Sequence, residues 1–242
     1  MQWIVLALTV LMYVGIILFP NVKSYITLGT AIVMMLLGVV GFQEAMTTMV
    51  NWNILMIFVG SLVIAELFIY SRMPARIADN IIDSSPSVGL AIVAILMMTG
   101  FISAFVENVA TVLVMAPIAL ALSKKLKMNP TLFMVGLAVM ANLQGTATLV
   151  GDPPSMIFAD FAKYGFNDFF IYQGKLSIFF AVQIGMLAGA LFFYAYFKKA
   201  GTGKVEIERE AIRSYFPTIL LILMIAGLAL ASWLHSGVSL TA

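Results

Sequence analysis

Of the chain's 242 residues, 62% are hydrophobic and only 10% are charged, and the mean hydropathy is +1.07. Soluble domains hold roughly 45–50% apolar and about 25% charged residues, so a separately folding water-soluble domain is excluded and the composition is that of an integral membrane protein. The net charge is +2, with no cysteine and one histidine, His235, which points to no nucleic-acid partner and excludes disulfides, thiol chemistry and a Cys- or His-built metal site.

In chain order, apolar runs fall at residues 3–19, 26–42, 54–70, 88–106, 109–123, 132–150, 176–197 and 217–234. The first lacks the basic leader and small-residue cleavage site of a signal peptide and is read as a span. The run at 109–123 is short for a crossing and follows its predecessor after only Glu107 and Asn108, so residues 88–123 are expected to form a re-entrant helical hairpin. Short polar residues before proline mark helix starts at Ser85-Pro86, Asn129-Pro130 and Asp152-Pro153. Gly145, Gly151, Pro153 and Pro154 interrupt the next run, which predicts a broken helix over residues 131–165. The fold class is therefore an all-α polytopic membrane protein. Residues 1–70 supply scaffold-like membrane helices, 71–174 hold the hairpin and the broken helix, and 175–242 supply two further helices joined by a cytoplasmic linker at 198–216.

Charge sets the expected orientation, because Lys and Arg concentrate in short cytoplasmic loops. If 88–123 returns the chain to the side it left, Lys23, Arg72, Arg76, Lys124, Lys125, Lys127, Lys198, Lys199, Lys204, Arg209 and Arg213 share one side, eleven of the 13 basic residues, against Lys163 and Lys175. A single crossing would leave five against eight. The first arrangement predicts a bacterial inner-membrane protein with its N-terminus outside and the loops flanking the hairpin in the cytoplasm. Charge does not separate a re-entrant hairpin from two complete crossings.

Polar groups inside a bilayer are costly and mark function by default. Two clusters qualify. At the hairpin tip stand Glu107, Asn108 and Thr111; at the broken helix stand Asn142, Gln144, Gly145, Thr146, Thr148, Gly151, Asp152 and Pro153. Side-chain oxygens beside unwound backbone are how membrane transporters hold ions, and free helix N-termini are natural seats for an anion. Asn108 and Thr111 would offer oxygens, Gly145 and Gly151 close backbone approach, and Thr146 and Thr148 hydroxyls. Glu107 or Asp152 would balance a cation or titrate. A sodium ion would be held at Asn108, Gly151 and Asp152; for Asp152 a purely structural helix-capping role is an equal alternative. Gly185 and Gly189 form a small-residue pair read as helix packing.

The runs Glu107-Asn108-Val109-Ala110-Thr111 with Pro117, and Asn142-Leu143-Gln144-Gly145-Thr146-Ala147-Thr148 through Gly151-Asp152-Pro153-Pro154, resemble those of the ion transporter superfamily. That group includes arsenite permeases, NhaD-type antiporters, citrate-metal transporters, the P protein and divalent anion/sodium symporters. The similarity runs loosely over residues 43–197. It departs at Gln144, where a second glycine is usual, and at Ser155, where asparagine usually follows the prolines. The resemblance implies one half of an inverted-repeat transporter, homodimeric when complete, in which each half contributes a hairpin and an unwound helix to a moving site. The expected activity is secondary transport of a small anion or ion, coupled to sodium or protons through an elevator-type motion, with no other cofactor. Only one half of the motif pair is present, so the chain reads as a fragment, a split transporter requiring a partner chain, or a self-completing half. The charge bias argues against pairing of two oppositely inserted copies.

The rivals are a passive channel or a non-transporting subunit and a membrane enzyme. The enzyme fares badly: the Gly-x-Gly-Asp form of aspartyl intramembrane proteases is missing before Asp152, no span carries a convincing second Asp, and His235 lies beyond the last apolar run, remote from any nucleophile.

Overall fold

The computed structural model describes residues 2–198 and 211–238, with side chains described to residue 234. Residues 199–210, most of the predicted 198–216 linker, and the side chain of His235 lie outside that set. The described chain is almost entirely helical and multi-pass; four helices are long and apolar enough to cross a bilayer, and α1 with the segment 20–36 passes the same test as a pair bent by 115°. It divides into two compact units, Met1–Asn53 and Ile54–Ala242.

The first unit holds α1 (Gln2–Leu18), a 3-10 turn at Pro20–Val22, α2 (Lys23–Leu36), one turn α3 (Phe42–Glu44) and a π-helical turn Ala45–Met49. α1 and α2 bury no residue, as expected of helices that face lipid. The expected span at 26–42 stops early. Gly38, at φ +68, closes α2 with bonds from its own N–H to Met35 and from Val39 to Met34, a left-handed cap that glycine adopts without a Cβ clash.

The second unit is built around α6 (Val88–Ser103), apolar on all sides and with twelve of its sixteen residues buried. Such a helix belongs in an interior. Around it lie α5 (Met73–Ser84), α7 (Asn108–Lys125), α8 (Thr131–Gly145) and α10 (Ile178–Phe197). Glycines set the spacing: a Cβ on Gly89 would lie 2.5 Å from the Phe197 carbonyl, one on Gly136 2.9 Å from Leu96, and one on Gly189 3.0 Å from Met140. The small residues therefore let α10 approach α6 and α8, the packing role read for Gly185 and Gly189. The unit also contains α4 (Trp52–Tyr70), α9 (Pro153–Ala162), a two-residue hairpin of β1 (Ile171–Tyr172) and β2 (Lys175–Leu176), and α11 (Phe216–Val238).

Several boundaries differ from the sequence reading. The first proline-marked start is displaced: Ser87 caps α6, accepting from the Leu90 amide at 3.4 Å, whereas the Ser85 hydroxyl bonds back to Ile81. The short arm changes places too, since α7 extends to Lys125 over 18 residues while α6 has 16. α5 was unforeseen, although Ala78 and Ile82 lie one turn apart on its buried face and Pro74 stands in its first turn. Gln173 and Gly174, at φ +49 and +74, make the tight turn that creates the small hairpin.

Candidate functional site

The helix beginning at Thr131 ends at Gly145 and resumes at Pro153, so residues 146–152 are unwound. Two forces hold this break. The Pro153-Pro154 pair cannot donate to a continuing ladder, and Asp152, in extended conformation at φ -151, caps α9 by accepting from the Ser155 amide at 2.9 Å. The α6–α7 turn meets the same segment. Thr148, fully buried, donates its hydroxyl to the Ala104 carbonyl, one of the acceptors left without a helical partner at the end of α6. A Cβ on Gly151 would lie 2.3 Å from the Gly145 carbonyl and 3.0 Å from that of Ala104. Only glycine permits this crossing of backbones.

Asn108 joins the two elements. Its Oδ1 accepts from Ser103 at 2.6 Å and its Nδ2 donates to Asn142 at 3.3 Å, while Asn142 donates to the Ala138 carbonyl at 3.0 Å. A Cβ on Gly145 would stand 2.2 Å from the Asn108 amide oxygen. Thus Asn108, Asn142, Gly145, Thr148 and Gly151, separated by up to 43 positions in sequence, form one junction, buried except at Asn142, which is exposed. Ser103, absent from the sequence-predicted set, is part of it; a serine late in an apolar helix was its only signal.

Glu107 and Asp152 both line one cavity of about 10 Å³, room for about one water-sized sphere. Glu107, Gly151, Asp152 and Pro153 line it, with Ser61 of α4 and the apolar walls Phe58, Phe105 and Met156. Asp152 is buried and Glu107 half-buried. Ser61 had no sequence signal beyond polarity, and its hydroxyl donates to the Phe58 carbonyl at 2.9 Å. Among the described residues no group of three acids or histidines is placed to hold a metal ion; any cation here would use the two carboxylates with backbone and hydroxyl oxygens.

The expectation of open helix N-termini for an anion is corrected. At α7 the Glu107 carboxylate accepts from the Ala110 amide at 2.8 Å. At α9 the first two residues are prolines and the next amide is held by Asp152. Each positive helix end thus already carries an acidic cap in place of an open seat for an anion. Two predicted residues belong neither to the junction nor to the cavity. Thr111 is buried and donates to the Glu107 carbonyl at 3.0 Å in its own helix. Thr146 is exposed, donates to Leu143 at 2.8 Å, and lines a different pocket of about 240 Å³ with Pro154, Ser155, Phe158, Phe169 and Ile178. Asn108 contacts the junction, not the cavity, so the three predicted sodium ligands are divided between the two.

The sequence profile of the citrate transporter family, CitMHS, matches residues 6–242. An uncharacterized transporter of Mycobacterium tuberculosis is 31% identical over 170 residues, covering 69% of this chain and 39% of that protein. A 46 kDa membrane protein of Mycobacterium leprae is 30% identical over 202 residues, covering 80% of this chain and 47% of the relative. The P protein of Mus musculus is 28% identical over 134 residues, 54% of this chain and 16% of the relative. The chain spans less than half the length of these relatives. No solved structure matches it. The chain belongs to the citrate transporter family of the ion transporter superfamily, a group of membrane transport proteins and not of enzymes.

Proposed function

We propose that this chain is the N-terminal half of a secondary active transporter that moves a small anion, citrate foremost among the candidates, coupled to sodium or protons. The carrying observation is the cavity shared by Glu107 and Asp152 where the α6–α7 turn meets the unwound segment. Each carboxylate gives one lone pair to a helix cap and keeps others for a cation or a proton. Gly151 and Pro153 bring backbone to the same cavity. Negative charge in a small buried space favours whatever cation neutralises it, and an anionic substrate would then be held beside that cation, completed by groups of a second half or of a second copy in a homodimer.

The reading includes an elevator-type alternation, for which a junction fixed by hydrogen bonds and glycine contacts offers a rigid carrier. The proposed orientation in a bacterial inner membrane is the one read from charge, in which residues 70–72 and 213 share the cytoplasmic side. What supports their sharing a side is that the Arg213 amide donates to the Ser71 carbonyl at 3.0 Å and its guanidinium lies 4.6 Å over the Tyr70 ring.

The test is uptake by the full-length protein in proteoliposomes, with sodium and proton gradients imposed separately over a panel of citrate, succinate, sulfate and arsenite. Accumulation of one of these above equilibrium under one gradient is expected. Simple equilibration would make the protein a channel, and absence of flux for the whole panel would contradict the reading.

A further inference from the structure

Gln144 is 1% exposed and immediately precedes Gly145, the last residue of α8. Its amide faces that of Gln183 on α10 and the two exchange both bonds: Gln144 Nε2 donates to Gln183 Oε1 at 3.1 Å, and Gln183 Nε2 donates to Gln144 Oε1 at 3.0 Å. The same Gln144 amide rests against the Sδ of Met186. On its other flank, Gly100 of α6 clears the space, since a Cβ there would lie 3.0 Å from Gln144 Cγ. Neither glutamine touches the cavity of Glu107 and Asp152. An apolar pair would fill this space without needing partners, whereas amides facing each other require one relative position of the two helices.

We propose that Gln183 and Gln144 are a positioning pair that fixes where α8 ends, and through Gly145 sets the register of the unwound segment against Asn108 and the cavity. The path is short. Gln144 is bonded to Gly145, a Cβ on Gly145 would meet the Asn108 amide, and one on Gly151 would meet the Gly145 carbonyl. A shift of the α8 terminus therefore moves the backbone that stands beside Asp152. Gln183 belongs to this device although it lies 31 positions beyond Asp152 and outside both motifs. The inference rests on the transport reading for its functional consequence but not for its structural one.

The test uses the full-length protein with a single cysteine introduced as Thr146→Cys, since this chain has none of its own; any cysteines contributed by the rest of the protein are first replaced by serine. Maleimide labelling of that exposed position reports the unwound segment whether or not transport occurs. Gln183→Leu, Gln144→Leu and the double variant are compared with the parent for labelling rate, melting temperature and half-saturating cation concentration. The double variant removes both amides at similar volume, so its melting temperature is expected to return towards the parent's. Its labelling rate and half-saturating cation concentration are expected to stay raised about tenfold, the scale of one lost buried hydrogen bond. Recovery of all three quantities in the double variant would overturn the proposal, making the pair a packing feature. Labelling within twofold of the parent in every variant would overturn it equally. Altered labelling with no uptake by any form, the parent included, would uphold the positioning role and overturn the transport reading instead.

Discussion

At the scale of single residues, Asp152 caps α9 and, in the proposed reading, also supplies charge to the cavity, two tasks that substitution separates. Asparagine caps a helix about as well as aspartate but carries no charge. Asp152→Asn is therefore expected to leave the melting temperature nearly unchanged while raising the half-saturating cation concentration about tenfold, and Asp152→Ala to cost a further ~1 kcal/mol of stability from the lost cap. Parallel thermal melts and uptake assays check both. Gly145 gives a sharper structural test, because the Cβ of Gly145→Ala would enter the Asn108 amide. A loss of about 1–3 kcal/mol is expected, and adding Asn108→Ala should cancel most of it, a coupling that a double-mutant cycle measures. Much of this junction was legible in the sequence, since Glu107, Asn108, Gly145, Gly151 and Asp152 are polar or helix-breaking residues in an apolar context. Their internal commitments were not. The donation from Thr148 to Ala104 and the amide contact between Gln144 and Gln183 join residues 44 and 39 positions apart, and no local pattern encodes such pairings.

At the scale of elements, the glycines differ in ways that spacing alone conceals. Gly89 lies where α6 meets the backbone of α10, whereas Gly60 in α4 has nothing within 4 Å of its would-be Cβ. Gly89→Ala is expected to destabilise by about 1–3 kcal/mol, and Gly60→Ala to stabilise by ~0.5–1 kcal/mol through helix propensity alone. Melting of the two variants in the same detergent checks the contrast. The helices themselves were largely readable from continuous apolar runs, because a bilayer forces backbone bonds to close within each segment. α5 escaped notice because it is amphipathic and short, with Arg72 and Arg76 at its start, and so resembled a charged loop. The ends of α6 and α7 were misjudged for a related reason: Lys124 and Lys125 continue α7 in the helix, and the basic residues in a last turn favour that helix end.

For the whole molecule, the charge distribution gives a topology that labelling tests directly. Cysteines introduced singly at Lys125 and Lys198 are expected to react with an impermeant maleimide only from the cytoplasmic face, and one at Lys175 only from the opposite face. Labelling of Lys125→Cys and Lys175→Cys from the same side would overturn the orientation. The single pair of motifs accords with a chain that spans less than half the length of its relatives, and membership of the citrate transporter family agrees with the superfamily those motifs resemble. What composition did not reveal is that Glu107 and Asp152, the caps of two helices, line one small cavity, the arrangement on which the proposed cation site rests. The most direct measurement is gradient-driven uptake by the full-length protein alongside its Glu107→Gln and Asp152→Asn forms, each confirmed as folded. Uptake by the unsubstituted protein should rise with an imposed sodium or proton gradient, and both variants should need about tenfold more cation for the same response; an undiminished gradient response in both would contradict a cation site at these two acids.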